Sequence, residues 1–340
     1  MEKQAIIQIK ALDFMWPTSD PFMFCVHHED FFPPGNADFG PKASLEGRNI
    51  GQDFTIKDGW RMYHGDKVPG FPVHPHRGFE TVTVVLEGTV DHADSMGAAG
   101  RYGGGDTQWM TAGKGIQHSE MFPLLKGDQD NKLELFQIWL NLPGVNKMVE
   151  PHFTMLWKNA IPKHLTKDKE GRKIEIDIIA GSINSSHSPS PPPNSWAAND
   201  TNRVAIWLIK MEANAQWSIP AEVRGLNRSL YFYEGSSVNI AGSDISPLQA
   251  VDLVSDMAVT LINGNKAASL LWLQGRPIGE PVAHHGPFVM NTEAELEQAF
   301  QDYRINNFGG WPWEASDQVH PKNQGRFAKH KDGHEENPDK

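Results

Sequence analysis

The stretch FPVHPHRGFETVTVVLEGTV, residues 71–90, sets two histidines, His74 and His76, one residue apart at the mouth of a β-branched run. In an extended chain, side chains two positions apart point the same way, so both imidazoles face one side of a sheet. The apolar positions that follow, Val82 and Val84 with Val85 and Leu86, read as a half-buried strand ended by the turn pair Glu87-Gly88. Two inward histidines are costly unless both rings are satisfied. A metal ion would satisfy both.

A second dyad lies downstream in GGGDTQWMTAGKGIQHSEMFP, residues 103–123, where His118 and Glu120 are again one residue apart. On a strand they share a face. The two dyads, His-x-His and His-x-Glu, offer three imidazole nitrogens and one carboxylate. Such a set suits Fe, Mn, Ni, Cu or Zn better than Ca or Mg, and the lack of thiolate argues against a structural zinc. Four protein ligands on an octahedral metal leave two adjacent positions for substrate, water or dioxygen. His92, in TVDHADS, reads as a hydrogen-bonded surface residue rather than a rim residue of this site. The adjacent pairs His27-His28 and His284-His285 point to opposite strand faces and read as structural or solvent-facing. Trp109, Trp139 and Trp272 read as core, and Cys25 as an inert buried thiol.

The chain has 340 residues, 39% hydrophobic and 21% charged, near the globular average and ample for a real core. Its 31 glycines and 24 prolines favour a turn-rich β fold. Strand-like runs recur at 79–86, 89–92, 133–142, 173–180, 203–212, 229–240 and 268–273, the pattern of a sandwich or barrel. One helix stands out, over 293–304, where Thr292 and Glu295 form a capping box and Leu296, Ala299, Phe300 and Tyr303 keep helical spacing. The net charge of −11 and the absence of any Lys/Arg stripe exclude a direct nucleic-acid binder. No apolar run approaches a membrane span, and MEKQAIIQIK lacks a signal-peptide core. With a single cysteine, the expected compartment is the cytoplasm.

The chain also repeats itself. Residues 74–94 align with 221–242 so that Arg77-Gly78 falls on Arg224-Gly225 and Glu87-Gly88 on Glu234-Gly235, without a gap. Where the first copy has His74 and His76, the second has Ala221 and Val223. The expected organisation is a metal-binding barrel over 1–160, a second barrel without the ligands over 161–314 that carries the helix, and a flexible tail over 315–340. His320, His330 and His334 in that tail read as solvated, and SSHSPSPPPNS at 185–195 as a loop.

With these motifs in view, GFPVHPHRGFETVTVVLEG, GGGDTQWMTAGKGIQHSE, LELFQIWLNLP and GPFVMNT resemble the pirin family of the cupin superfamily over residues 10 to 312. The resemblance implies an all-β chain of two tandem jelly-roll-like cupin barrels, with metal in the N-terminal one alone. It implies iron, as Fe(II), held by His74, His76, His118 and Glu120, with Mn, Ni, Cu or Zn as substitutes. It also implies one of two roles. The first is a quercetin 2,3-dioxygenase acting on a small phenolic substrate and dioxygen, with Glu120 as ligand and base. The second is an iron redox-sensing regulator that binds a protein partner, either a transcription factor or a metabolic enzyme.

Overall fold

The computed structural model describes residues 4–340. Their contacts separate into two compact units, one of residues 4–26, Ile138–Asn141 and Asn159–Gly279, the other of His27–Gln137, Leu142–Lys158 and Glu280–Lys340. Among the described residues nearly all regular structure is strand, and the single α-helix spans Glu293–Asn306. Thr292 Oγ1 accepts from the Glu295 amide at 3.2 Å and Glu295 Oε2 accepts from the Thr292 amide at 2.9 Å, the reciprocal cap expected from the sequence. The all-β expectation, with two barrels and one short C-terminal helix, holds. Among the described residues no helix is long and apolar enough to cross a membrane.

In the N-terminal barrel, the strands Ala99–Gly103, Thr89–Asp94, Ile116–Met121 and Gly70–His76 lie side by side in that order. A second sheet orders His152–Leu156, Thr107–Thr111, Phe79–Glu87 and Asn131–Asn141. Val90, Tyr102 and Ile116 from the first sheet and Val85, Met110, Leu135 and Phe153 from the second meet in one apolar core. The strand Phe79–Glu87 is buried on both faces, not half-buried: Thr81 and Thr83 are as enclosed as Val82 and Val84. A threonine hydroxyl tolerates this when it has a hydrogen-bond partner.

In the C-terminal barrel, a seven-stranded sheet faces a four-stranded one (Gln216–Ile219, Val259–Asn263, Val238–Ile240, Ser243–Ile245), and both feed one core that includes Trp207, Leu230, Trp272, Ile240 and Leu261. The sequence run 229–240 is two strands, broken at Gly235. The repeated Arg-Gly pair has a backbone reason: Gly78 and Gly225 adopt φ of 85° and 89°, where a side chain is strained. At Gly78 a Cβ would also stand 1.9 Å from the Val289 carbonyl oxygen.

The domain boundaries differ from the sequence reading at both ends of the chain. The strand Ile6–Ala11 pairs with Gln249–Leu253 and so belongs to the C-terminal barrel, not to a 1–160 domain. Residues 280–340, with the helix, belong to the N-terminal barrel. Arg77 Nη1 donates to Asp302 at 2.7 Å, Tyr303 Oη donates to Gln117 at 3.0 Å, and the helix buries Leu296 and Ala299 against Phe288, Met290 and Phe308.

Nor is 315–340 a free tail. Phe327–Lys329 pairs with Ala99–Gly103, with Phe327 and Ala328 buried. Arg101, buried with Asp91 in a two-pronged ion pair of 2.6 and 2.7 Å, donates two further N–H groups to the carbonyls of His320 and Pro321 at 2.8 Å. His320 is buried, and the His330 ring stacks on Phe153 at 4.6 Å, so neither is solvated. Composition missed this segment because it contributes mainly backbone acceptors to a buried guanidinium, which leaves no apolar pattern. Truncation after Glu314 should therefore destabilise the protein by at least ~2 kcal/mol, the scale of one buried Phe plus the orphaned Arg101 donors. Thermal unfolding of full-length and truncated chains checks this, and equal melting temperatures would contradict it.

Candidate metal centre

The register of two antiparallel strands builds the site. Gly70–His76 pairs with Ile116–Met121 so that His74 stands directly opposite His118 and His76 opposite Ile116, with a bulge between Phe71 and His74. Cross-strand partners on one face come within side-chain contact. The ring centroids of His74 and His118 are 4.4 Å apart, those of His74 and His76 4.8 Å, and those of His76 and His118 5.0 Å. One nitrogen from each of these three rings lies within 4.8 Å of the other two, the only such group of His, Cys, Asp or Glu found among the described residues.

The donor set fits a metal ion on two observations. His118 is fully buried, and neither of its ring nitrogens has a hydrogen-bond partner. Such an imidazole is costly unless something coordinates it. His74 Nδ1 is 2.9 Å from the Pro72 carbonyl, which can only accept, so the proton sits on Nδ1 and Nε2 keeps its lone pair. Burial pushes His74 down to about 4, and holds His76 and His118 well below the usual imidazole range. All three are neutral at pH 7, the form that binds metal.

Glu120 is buried beside the triad, with Oε2 3.9 Å from His118 Nε2, a spacing that two ligands of one metal ion can have. Thr83 Oγ1 lies 2.9 Å from Glu120 Oε1, and Gln137 Nε2 donates to Glu120 Oε2 at 3.0 Å. Desolvation raises the carboxyl's pKa, against the opposing pull of these hydrogen bonds and of His92. The sequence reading grouped Glu120 with the three histidines; its carboxylate lies on their side and is hydrogen-bonded to Thr83 and Gln137.

Thr83, Gln137, Phe54, His64 and Phe71 escaped the sequence reading, and His92 was placed at the surface. His92 is fully buried rather than on the surface, pairs in register with Glu120, and has its ring 5.6 Å from His118. Thr83 and Gln137 are polar positions inside apolar strands, and that was the available signal. His64, Phe54 and Phe71 form a half-buried aromatic strip: Phe54 lies 5.0 Å from His64, and Phe71 lies 5.6 Å from His64 and 6.3 Å from His74. Of the paired histidines, His28 is buried against the Tyr63 hydroxyl at 2.9 Å, whereas His284 and His285 are exposed. Trp109 and Trp272 are core, Trp139 is half-buried, and Cys25 is a buried thiol whose pKa burial raises.

These pKa shifts set a stability profile for the metal-free chain. His74 is depressed to about 4 from 6.5, so the unfolded chain takes up protons first as pH falls. The neutral histidines' contribution is complete above about pH 6.5 and is lost as pH drops toward 4. Melting temperature measured on chelator-treated protein should fall through that window, and His74→Ala should flatten the slope.

Comparison with known proteins places this geometry. The pirin family model matches residues 42–140, and the model for the pirin C-terminal cupin domain matches 206–309. A Vibrio cholerae protein named "Putative quercetin 2,3-dioxygenase" is 37% identical over 246 residues, covering 72% of this chain and 81% of that protein. Pirin-1 of Arabidopsis thaliana is 37% identical over 237 residues, covering 69% of this chain and 77% of its own length. A solved quercetin 2,3-dioxygenase from Acinetobacter baumannii superposes with a TM-score of 0.69 at 24% identity, over 90% of this chain and 99% of that one, a likeness of fold. Family models on both barrels and relatives matched over most of their length give one conclusion: this chain belongs to the pirin family.

Proposed function

We infer that the chain is an iron-dependent dioxygenase of the quercetin 2,3-dioxygenase type, acting on a flavonol or a related enolic phenol. Three observations agree with this: the neutral His74, His76, His118 cluster, the buried carboxyl of Glu120 beside it, and the relatives named as putative quercetin 2,3-dioxygenases. The observation that carries the reading is the aromatic strip. Phe54, His64 and Phe71, partly buried rings in edge-on and tilted contact, run up to His74, the only triad member not fully buried, and are the aromatic surface that a planar ring would meet there.

His74, His76 and His118 would hold the ion, with Glu120 as a fourth ligand through the oxygen that faces His118. Bound Fe(II) supplies a Lewis acid and an electron source for dioxygen chemistry. The chain's own residues do the rest. Phe71 and Phe54 orient the ring system, which turns a bimolecular encounter into a local one. Glu120, made more basic by burial, takes the substrate's hydroxyl proton, and Thr83 and Gln137 hold its two oxygens while it does so. The redox-sensing regulator remains the second reading, favoured by the acidic chain of net charge −11, which suits a basic protein partner.

The test is metal analysis followed by oxygen uptake on iron-reconstituted protein with a panel of flavonols. The His74→Ala, His76→Ala double variant should lose stoichiometric metal. Glu120→Gln should keep most of it, yet lose about 10²–10⁴-fold in turnover, the usual range for a missing general base. Wild-type turnover by a metal-loaded Glu120→Gln protein would remove the base role. No uptake with any enolic phenol would favour the regulator, whose binding to a partner would then differ between ferrous and ferric protein.

A further inference from the structure

Beside the aromatic strip, the N-terminal barrel buries a polar cluster of Tyr63, Asp30, Arg61 and His28, each at most 4% exposed. Tyr63 Oη lies 2.5 Å from Asp30 Oδ2 and 2.9 Å from His28 Nδ1. Arg61 donates to both oxygens of Asp30, at 3.0 Å each, and so holds it as a carboxylate. A carboxylate only accepts, so the one phenolic proton points to Asp30, and His28 donates its Nδ1–H to the phenol oxygen. Tyr63 thus has a base on its proton and a donor on its oxygen.

The chain keeps this tyrosine against its own backbone preference. Tyr63 takes φ of 58°, a left-handed conformation that bulky side chains rarely adopt, held by paired backbone hydrogen bonds with Asp53 at 2.8 and 3.0 Å. Its ring meets Phe71 at 5.2 Å and 36°, and Phe71 meets His74 at 6.3 Å. A single ring therefore stands between the phenol and a member of the histidine triad. Tyr231, in the other barrel, makes the contrast. It is equally buried, but its hydroxyl donates to the Pro17 carbonyl at 2.9 Å, an amide oxygen too weakly basic to keep a proton.

We propose that Tyr63 is a redox relay for the metal centre, giving one electron through Phe71 to the oxidised iron and its proton to Asp30. The relay depends on the iron reading of that centre given above. Hydrogen peroxide, arriving when no phenol is bound, is the oxidant. Its two electrons come from Fe(II), which becomes Fe(III), and from Tyr63, which becomes a neutral radical. The O–O bond breaks, and two solvent protons complete two waters, while the phenolic proton stays on Asp30. The Arg61 guanidinium, 5.1 Å from the Tyr63 ring centre, opposes a positively charged ring, so the electron leaves only as the proton does. Desolvation raises the Asp30 pKa against the pull of Arg61, which suits this carboxylate to receive the proton. The relay drains an oxidising equivalent that no substrate consumes, and so spares the histidines that hold the ion.

Freeze-quench EPR tests this on the full chain, loaded anaerobically with Fe(II), assayed for iron and mixed with hydrogen peroxide without any phenol. A free-radical signal should appear, and it should narrow in protein made with ring-deuterated tyrosine. Tyr63→Phe, which removes only the hydroxyl, should abolish the signal, whereas Tyr231→Phe should leave it unchanged. Asp30→Asn, whose amide cannot take the proton, and Phe71→Leu, which removes the intervening ring, should each lower its yield. Peptide mass spectrometry should find more oxidised histidine at His74, His76 and His118 in Tyr63→Phe than in the parent. If Tyr63→Phe fails to load iron, the Phe71→Leu yield decides in its place, and a yield equal to the parent's overturns the relay. It is equally overturned if the signal survives in Tyr63→Phe, or if the iron-loaded parent gives no tyrosine radical, a result that leaves the metal centre standing. A parent that binds no iron overturns the metal centre and the relay together.

Discussion

The register that sets His74 opposite His118 is the constraint on which the site depends. A one-residue slip of either strand would turn its dyad to the other face and leave buried imidazoles without each other. The bulge between Phe71 and His74 absorbs the mismatch between the two strands, and Phe71 then falls opposite Glu120. Flanking strands add to this inner face. His92 and Asp94 sit opposite Glu120 and His118 on the other side of the same central strand.

Polar groups inside the barrel survive because they are spent on one another. Thr83, Gln137 and Glu120 form a closed hydrogen-bonded set, and Arg61 and Tyr63 do the same for Asp30 nearby in the sequence of strands. Thr83 Oγ1 lies 2.6 Å from Gln137 Oε1 as well as 2.9 Å from Glu120 Oε1, yet has a single proton to give. The hydroxyl therefore serves one acceptor at a time, and the network positions Glu120 beside the triad. His118 alone among the triad has no hydrogen bond to either nitrogen, which marks it as the member whose burial most needs a metal.

The duplicated barrels diverge along this polar axis. Both retain the Arg-Gly and Glu-Gly pairs, and the glycines at all four positions take positive φ, a backbone demand indifferent to function. What differs is the interior. The first barrel surrounds its site with histidines and a carboxylate, and the second stacks Trp207 on Trp272 with Arg228 over the Trp272 ring at 4.7 Å. One scaffold thus carries two interiors of different chemistry.

By itself, the sequence determined the fold class, the duplication, the capped helix and the residues of the two dyads. Each of these is written in local periodicity: alternation along a strand, spacing along a helix, glycine where the backbone turns. The resemblance of whole motifs added the family. Only the tertiary structure decided the rest. Glu120 is held in place by Thr83 and Gln137, partners 37 and 17 residues away, which no local pattern joins to it. His92 is buried because its strand pairs with Ile116–Met121 inside the barrel, although in TVDHADS it reads as a surface residue. Ile6–Ala11 and Phe327–Lys329 each pair with the barrel at the far end of the chain, because strand pairing is made by backbone groups that every residue possesses.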